Sequence, residues 1–346
     1  MLSGALFFTC EETYTAPRVS KSHHIAIVGA TGAVGIELLR VLERRQFPVT
    51  DLRLLASSRS AGKTLEFNGE KIAVQELRDD SLGGIDLAFF SAGGDTSRKF
   101  APVARDAGAV VIDNSSAFRM EPDVPLVIPE INRADVQQHR GIIANPNCTT
   151  AVALMALYPL HVAFGVRRVF ASSYQAVSGT GARAIAELGE QVSAPGAKPQ
   201  IYPHRIAFNV LPHVDSFLTS GYTKEEMKMQ NEGRRIMHLP EFRASVTCVR
   251  VPVYRAHSVA VSAEFERPVD VVQAREALAK APGLDLLDEP QRNIYPMPLH
   301  AAGKDNCQVG RVRIDCALEN GLAFWVSGDQ LLKGAALNAV QIAELL

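Results

Sequence analysis

The heptapeptide GATGAVG at positions 29–35 restricts the possible folds of this chain more than any other stretch. It follows the apolar run HIAIV and precedes the amphipathic run IELLRVL, an order that predicts a strand, a turn and a helix. Glycines at 29, 32 and 35 permit a tight turn, and the helix N-terminus offers free N–H groups and a positive dipole end to a pyrophosphate. The pattern predicts the opening unit of a dinucleotide-binding domain, the alternative being a glycine-rich turn without a ligand.

Short apolar runs recur after this unit, at residues 52–57, 85–91, 109–113 and 141–145, with a helical pattern at 95–107. Apolar strands that alternate with amphipathic helices predict a parallel sheet covered on both faces. The first part of the chain is therefore predicted to be a Rossmann-type α/β domain.

The pattern changes after residue 148. Long alternating runs rich in β-branched residues predict strands of a mixed or antiparallel sheet, and an amphipathic run at 329–346 predicts a terminal helix that returns to the first domain. The strand runs lie at 166–178, 244–266 and 310–327, and helical patterns lie near 180–193, 223–237 and 270–280. The predicted fold class is α/β plus α+β, divided into an extension at 1–22, a dinucleotide-binding domain at 23–147 plus 329–346, and a second domain at 148–328.

Charge and cysteine content narrow the function classes. The 346 residues carry 36 basic and 37 acidic side chains, a net charge of −1, and no basic block that would favour nucleic acid or a membrane surface. Five widely spaced cysteines without a CxxC pair indicate neither a metal site nor a disulfide framework, and they predict a cytoplasmic location. Residues 1–22 are predicted to be a poorly ordered extension. A signal peptide would have a basic start and a longer apolar stretch, and a transit peptide would avoid acids such as Glu11 and Glu12.

The end of the second predicted strand indicates which dinucleotide binds. NAD sites usually carry an acidic residue there for the ribose 2′-hydroxyl. This chain has ASSRSAGK instead, in which Ser58, Arg59, Ser60 and Lys63 suit a 2′-phosphate. The sequence predicts NADP as cofactor, because an ordinary basic surface loop would not explain the missing acid.

Cys148, in NPNCTT, is predicted to begin a helix at the junction of the two domains. A free cysteine is most often a small buried hydrophobe, but a helix N-terminus lowers a thiol pKa and favours a nucleophile. A thiolate beside NADP suggests addition to an aldehyde, hydride transfer to the nicotinamide, and capture of the acyl-thioester by water, phosphate or coenzyme A. A general base is also needed, and the nine histidines leave its identity open on these grounds.

Ten segments in series resemble the aspartate-β-semialdehyde dehydrogenase family over about residues 23–346. They are GATGAVG, ASSRSAGK, NPNCTT, YQAVSGTGARA, IAFNVLPHVD, TKEEMKM, VRVPVYRAHS, YPMPLHAAGKD, VGRVR and LLKGAALNAVQIAEL. The resemblance implies an NADP-dependent enzyme that reversibly converts 4-phospho-L-aspartate to L-aspartate 4-semialdehyde and phosphate. It also implies a role in lysine, threonine, methionine and diaminopimelate biosynthesis. The resemblance further implies a second domain for catalysis and dimerisation, and a homodimer with a tetramer as the alternative.

The same resemblance implies residue roles. Cys148 would be the nucleophile, His257 the acid/base and Gln175 a residue that orients the substrate. The substrate would be held at its carboxylate by Arg250, at its amino group by Glu225, and at its phosphate by Lys228, Arg98 and Asn147. The cofactor would contact Gly29, Thr31, Gly32, Ala33, Val34, Arg59, Ser60, Ser178, Gly179 and Gln330.

Several of these residues have simpler interpretations. Glu225 and Lys228 are spaced like a solvated helix pair, and Arg98 resembles an ordinary surface arginine. Arg250 is different, because an arginine in an apolar strand needs an anion to pair with. The chain departs from the family where Ala256 replaces a common glycine and Gln330 a frequent asparagine.

Two rival functions remain open at this point. One is a related acyl-phosphate or acyl-CoA reductase, of the N-acetyl-glutamyl-phosphate or malonyl-CoA type. Glu225 with Arg250 argues for a free α-amino acid end instead, since an acetylated amine carries no charge for Glu225. The other rival is a non-catalytic NADP-binding relative, against which the presence of Cys148, His257 and Arg250 weighs.

Overall fold

The computed structural model describes residues 21–194 and 196–346, so all but the last two residues of the predicted extension lie outside the described chain. The described residues form two sheets with helices packed on them. The fold class predicted from the sequence is confirmed.

The first sheet has seven strands in the order β3-β4-β2-β1-β5-β6-β7, parallel except where β3 runs antiparallel to β4. The strands are β1 (His23–Val28), β2 (Val49–Ala56), β3 (Thr64–Phe67), β4 (Glu70–Glu76), β5 (Leu87–Phe90), β6 (Val110–Asp113) and β7 (Ile142–Ala144). The sequence analysis did not predict β3 and β4. Their hairpin turns at Asn68 and Gly69, both with positive φ, and the Asn-Gly pair is itself a strong hairpin signal.

Three helices belong to this part of the chain: α1 (Ala33–Arg44), α2 (Gly94–Asp106) and α3 (Pro129–Asn132). Strand β1 pairs with β2 on one side and β5 on the other, so the chain changes direction across the sheet at β1. Open parallel sheets bind ligands in the crevice at such a switch point, beyond the carboxyl ends of the strands. The glycine-rich turn lies there, directly after β1.

The second sheet has six strands in the order β11-β12-β13-β10-β8-β9 and is mixed, since β8–β9 and β11–β12 are parallel. The strands are β8 (Val166–Gln175), β9 (Arg243–Arg250), β10 (His257–Phe265), β11 (Leu284–Leu286), β12 (Cys307–Ile314) and β13 (Gly321–Gly328). Its helices are α4 (Cys148–Phe164), α5 (Ala182–Ser193), α6 (Lys224–Ile236), α7 (Val271–Lys280) and α8 (Pro298–Ala301).

Two predicted strand runs each divide into two strands. The run 244–266 is β9 and β10 with a loop at 251–256, and the run 310–327 is β12 and β13. Pro252 gives a reason for the first break, since proline has no N–H to donate to a sheet. Arg250 and His257, expected on one strand, therefore lie on two strands that are not neighbours, because β8 lies between them.

The C-terminal segment is also less regular than the single helix predicted at 329–346. It has a π-helical turn at Leu332–Ala336 followed by α9 (Leu337–Ala343). Leu332, Leu337 and Val340 pack in one core with Ile27 and Leu38 of the first sheet region. We propose on this basis that the segment belongs with the first domain, as the division at 147/148 and 328/329 requires.

Helix α4 packs in a different core. Its apolar side chains lie among those of β8, β10 and β13, for example Leu154 with Val261 and Phe324. Cys148 therefore stands where the chain passes from the first core to the second. Within residues 21–194 and 196–346, no helix combines the length and apolar character needed to cross a membrane.

Candidate active site

The glycine-rich turn is built so that side chains would not fit at two of its positions. Gly29 has φ +90, and a Cβ there would lie 2.5 Å from the carbonyl oxygen of Ser91. A Cβ at Gly35 would lie 2.4 Å from the carbonyl oxygen of Gly29, so α1 packs tightly on the turn. Gly32 is exposed and caps α1 without a side-chain hydrogen bond, which leaves the N–H groups of the first helical turn to bind an anion.

The loop after β2 lies against this turn. The Thr31 hydroxyl hydrogen-bonds the Ser60 hydroxyl at 3.3 Å, and Arg59 is exposed beside it. β2 ends at Ala56 and is followed by Ser57 and Ser58, without an acid. A dinucleotide with its pyrophosphate on α1 would meet hydroxyl and guanidinium groups at its ribose, and these residues fit a 2′-phosphate.

Cys148 is the first residue of α4 and is partly buried. The Asn147 side chain caps the helix by accepting from the Thr150 N–H at 3.0 Å. A Cβ on Gly334 would lie 2.7 Å from the Cβ of Cys148, so the π-helical turn presses directly on the cysteine backbone. The expected lowering of the thiol pKa is wrong: burial, followed by the Glu225 carboxylate, raises the pKa of Cys148 to about 11.

Glu225 lies at the centre of the polar cluster around the cysteine. Its Oε1 accepts from the Asn147 side chain at 3.0 Å and from the Gln175 side chain at 3.2 Å. Its Oε2 accepts from the Lys228 ammonium at 2.7 Å, and Lys228 also reaches Asp215 at 3.2 Å. Glu225 is 8 % exposed, so this is not the solvated helix pair that its spacing with Lys228 allowed.

The charges of this cluster stabilise each other. Burial alone would raise the pKa of Glu225, but the Lys228 ammonium and the hydrogen bonds from Asn147 and Gln175 outweigh it and lower the pKa to about 2. Burial alone would lower the pKa of Lys228, but Glu225 outweighs it and raises the pKa. The cluster therefore holds a carboxylate and an ammonium across the neutral pH range.

His257, fully buried at the start of β10, has a defined tautomer. Its Nδ1 accepts from the Ala176 N–H at 3.0 Å, so the proton of the neutral ring is on Nε2. Nε2 has no hydrogen-bond partner among the described residues. Burial, with a smaller contribution from Arg250, lowers the pKa of His257 to about 3, so the ring is neutral near pH 7.

Arg250 reaches the same place from the end of β9. Its Nη1 donates to the Ala176 carbonyl oxygen at 2.8 Å, while its Nε is buried without a partner among the described residues. Gly179 lies over both groups, since a Cβ there would be 3.2 Å from Arg250 Nη1 and 3.3 Å from His257 Nε2. The Arg250 guanidinium and the His257 imidazole thus lie together against Gly179, and each has one buried N–H without a partner among the described residues.

Gln330 connects this region to the C-terminal segment. Its Oε1 accepts from the Ala256 N–H at 2.8 Å, and its Nε2 donates to the Ser178 hydroxyl. Ser178 and Gly179 therefore lie beside the loop that carries His257. Both polar atoms of the Gln330 amide are used within the protein.

Arg98 is not part of the cluster described so far. It is exposed in the first turns of α2 and pairs with Asp95 at 2.6 Å. No hydrogen bond or ion pair joins it to Cys148, Asn147 or Lys228 within the described parts of the chain. Its predicted role in phosphate binding would require its side chain to leave Asp95.

Two residues of the site were missed by the sequence analysis. Arg119 donates to the backbone oxygens of Asn145 and Asn114, both at 2.9 Å, and pairs with Glu232 at 3.2 Å. Glu232 in turn accepts from the Asn147 N–H at 2.7 Å. This buried ion pair fixes the turn before Cys148. Arg119 and Glu232 lie 113 residues apart in the chain, so no local sequence pattern indicates the pair.

The arrangement can support nucleophilic chemistry on an anionic substrate. Cys148 and His257 share Glu225 and Arg250 as electrostatic neighbours, which places the thiol, the imidazole and the anion-binding guanidinium in one site. Among the described residues no group of three or more histidine, cysteine or acidic side chains is placed to hold a metal ion.

Comparisons with known proteins identify the family to which the chain belongs. The semialdehyde dehydrogenase NAD binding domain matches residues 24–139, and the semialdehyde dehydrogenase dimerisation domain matches residues 157–333. An aspartate-semialdehyde dehydrogenase of Aquifex aeolicus is 53% identical over 332 residues, covering 94% of this chain and 98% of its own.

Solved structures show the same similarity. Aspartate semialdehyde dehydrogenase II of Vibrio cholerae, complexed with ASA, has a TM-score of 0.92 and 45% identity, covering 94% of this chain and 98% of its own. The aspartate semialdehyde dehydrogenase of Candida albicans with NADP has a TM-score of 0.74 and 25% identity, covering 94% and 98%.

Proposed function

Since this chain belongs to the semialdehyde dehydrogenase family, we propose that it is an NADP-dependent aspartate-semialdehyde dehydrogenase. The reaction would be the reversible reductive dephosphorylation of 4-phospho-L-aspartate, in lysine, threonine and methionine biosynthesis in the cytoplasm. The observation that carries the proposal is the buried cluster in which Glu225 joins Asn147, Gln175 and Lys228 next to Cys148. It offers a carboxylate, an ammonium and a thiol to a small zwitterionic substrate.

The cofactor assignment is supported by the turn and the loop beside it. The N-terminal turn of α1 would bind the pyrophosphate, and Arg59 and Ser60 would bind the 2′-phosphate. When bound, the nicotinamide would accept or supply the hydride. The contact of Ser178 and Gly179 with the His257 loop supports placing the nicotinamide end there.

Cys148 would be the nucleophile and acyl carrier. Its thiol is protonated near neutral pH, because its pKa is about 11, so the proton must leave before the sulfur can attack. Lys228 and Arg250 each favour the thiolate electrostatically. The thiolate would add to the aldehyde carbon to give a thiohemiacetal, and oxidation of that carbon would leave a thioester that phosphate cleaves.

His257 would act first as a donor. With Nδ1 occupied by the Ala176 N–H, the ring offers its Nε2–H to the oxygen that becomes negative as the thiolate adds. Accepting a proton at Nε2 would require the ring to lose its proton there first. The tautomer thus favours stabilising and protonating the oxyanion over deprotonating the thiol.

The substrate would be held by charge at both ends of its amino acid group. Arg250 has a buried Nε–H without a partner and an Nη1 on a backbone oxygen, so it can bind a carboxylate through a fork of donors. Glu225 would bind the ammonium and Lys228 the phosphate, with Asn147 beside them. Arg98 would join the phosphate site if it swings from Asp95.

A homodimer is the assembly we propose. Along the outer face of the six-stranded sheet, Ala260 is in register with Ser172 and Trp325, and Phe170 on the same face is 46% exposed. The matched dimerisation domain covers this sheet. Sedimentation equilibrium is expected to give twice the 37.5 kDa mass of the chain, or four times that for a tetramer, and a monomer would contradict the proposal.

The function is tested by following NADP reduction with L-aspartate 4-semialdehyde, with and without phosphate. We expect reduction that depends on phosphate, and NADP preferred over NAD. Arg59→Ala should lower kcat/KM for NADP by about tenfold and change kcat/KM for NAD much less. One charged hydrogen bond, here to the 2′-phosphate, contributes about 1.5 kcal/mol or more. Arg53→Ala, an arginine on β2 bound to the Ser81 oxygen, is the control for a lost charge in the same region.

Different substrates separate the rival functions. Turnover of N-acetyl-glutamate semialdehyde with phosphate, or of malonate semialdehyde with coenzyme A, in preference to L-aspartate 4-semialdehyde would favour the related reductases. Binding of NADP by calorimetry without turnover of any of the three would favour a non-catalytic relative. Equal use of NAD and NADP would contradict the cofactor assignment alone.

A further inference from the structure

The loop at 251–256 ends in two residues that attach it to the rest of the molecule just before His257. Arg255 forms two ion pairs, from Nε to Asp329 Oδ2 at 2.6 Å and from Nη1 to Glu37 Oε1 at 2.9 Å. Glu37 lies in the second turn of α1, and Asp329 begins the C-terminal segment. One side chain thus joins the second domain to both parts of the first.

The two carboxylates are fixed by other contacts. The Asp329 side chain is fully buried, and it accepts from the N–H groups of Gly303 at 2.6 Å and Leu331 at 2.9 Å. The Glu37 side chain is 8% exposed and also accepts from Arg40 at 2.9 Å. Arg255 therefore binds two groups that cannot move freely, and a lysine could not reach both with the same planar geometry.

Ala256 is held in an unusual conformation between these contacts and His257. It is fully buried with φ +71, in the left-handed region that is unfavourable for a residue with a Cβ. Its N–H donates to Gln330, and the next residue has its ring fixed by the Ala176 N–H. Strain of this kind persists only where the surroundings hold the backbone in place.

We propose that Arg255 is a positioning residue: its ion pairs with Glu37 and Asp329 hold Ala256 in the left-handed conformation and so fix His257 relative to the cofactor-binding helix α1. The inference rests on the proposed function in taking His257 as a group that acts on the substrate. Arg255 itself has no contact with Cys148 or with the groups of the Glu225 cluster among the hydrogen bonds of the described residues.

The test compares Arg255→Met with a matched control, Arg40→Met. Arg40 also pairs with Glu37 Oε1 at 2.9 Å, but it is 63% exposed and lies on α1 itself. Arg255→Met is expected to lower kcat about tenfold or more, because small misplacements of a catalytic group are costly. The KM for L-aspartate 4-semialdehyde should stay within about twofold, since Arg250 and Glu225 are untouched. Arg40→Met should change neither constant by more than about twofold.

A second variant tests the route through Ala256. Glycine adopts positive φ without the Cβ penalty, so Arg255→Met combined with Ala256→Gly should recover about fivefold of the lost kcat, which corresponds to the strain removed. A purely structural role for Arg255 would give a lower melting temperature in Arg255→Met with kcat unchanged. No recovery in the double variant would overturn the route through Ala256.

A readout without turnover keeps this test separate from the proposed function. The Cε1–Hε1 NMR signal of His257, identified by its absence in His257→Asn, reports the ring's surroundings directly. It is expected to shift in Arg255→Met, to stay in Arg40→Met and to return toward its wild-type position in the double variant. If the wild type does not oxidise L-aspartate 4-semialdehyde, the proposed function fails and this signal still decides the inference.

The result that overturns the inference is an unchanged kcat together with an unmoved His257 signal in Arg255→Met, or equal effects of Arg40→Met. If Arg255→Met does not fold, Glu37→Gln removes the ion pairs of Glu37 with Arg255 and Arg40 while keeping the shape of the side chain, and Arg40→Met remains the control for the second pair. It should then lower kcat and shift the His257 signal, and an unmoved signal would overturn the inference.

Discussion

Cys148→Ser is expected to lower the rate of L-aspartate 4-semialdehyde oxidation by about 10⁴-fold or more while NADP still binds, as losing a covalent nucleophile does. A hydroxyl is a far weaker nucleophile than a thiolate. Serine is also almost the size of cysteine, so the contact with Gly334 is kept. The assay is phosphate-dependent NADP reduction, with calorimetry for cofactor binding.

Cys316→Ser is the matched control, because Cys316 is an exposed free cysteine that has no part in the polar cluster. Its activity should stay within about twofold of the wild type, as is usual for a surface substitution. Activity of Cys148→Ser within about tenfold of the wild type would contradict covalent catalysis by this residue.

The pKa of the Cys148 thiol can be tested independently of turnover. Since the pKa of Cys148 is about 11, the thiolate fraction in the unliganded enzyme should rise about tenfold for each pH unit between pH 7 and 9. The rate of alkylation by iodoacetamide should follow it. A plateau below pH 8 would mean that the helix N-terminus and the nearby cations outweigh burial.

The sequence predicted those parts of the fold that are governed by local patterns. The apolar run of β1, the glycine-rich turn and the amphipathic α1 lie within about twenty residues of each other, so their order defines the first unit. The hairpin at Asn68 and Gly69 was missed although its turn signal was present, because its two short strands mix polar with apolar residues and contain no apolar run like that of β1.

The candidate site was predictable only in part, because its properties arise from residues far apart in the chain. Resemblance to the family proposed Glu225, but its low pKa results from Lys228, one helical turn away, together with Asn147 and Gln175, which only folding brings to it. Arg119 and Glu232 form a pair across 113 residues, and neither has a local signature. The direction of the Cys148 pKa was predicted wrongly because burial, which the sequence does not reveal, outweighs the helix terminus.

The loop before His257 illustrates the same division. The departure from the family at Ala256 was visible in the sequence. Its structural consequence, a positive φ at an alanine, was not. Arg255 pairs with Glu37 across 218 residues and the Ala256 N–H bonds Gln330 across 74, so the contacts around this backbone conformation have no local signature in the sequence.

Substitution of His257 is expected to have the second large effect, and two variants separate its roles. Asparagine keeps an acceptor for the Ala176 N–H but removes the donor at the position of Nε2, whereas glutamine places an N–H near that position. We expect His257→Asn to lower kcat by about 10²–10⁴-fold, the usual contribution of a general acid or base. If donation to the oxyanion is the main role, His257→Gln should retain more activity than His257→Asn. If proton transfer is the main role, the two variants should be equally impaired.

The dependence on pH distinguishes donation to the oxyanion from proton transfer by His257. Burial and Arg250 lower the pKa of His257 to about 3, so the folded protein binds fewer protons at this site than the unfolded chain as the pH falls below about 6.5. Stability from this group is therefore complete above pH 6.5 and is lost as the pH falls toward 3, whereas its protonation state near neutral pH is constant.

The kcat profile between pH 6 and 8 should show the same inflections in the wild type and in His257→Gln. An inflection near pH 6.5 that is present only in the wild type would mean that the ring titrates during catalysis, and His257 would then act as a proton-transfer base.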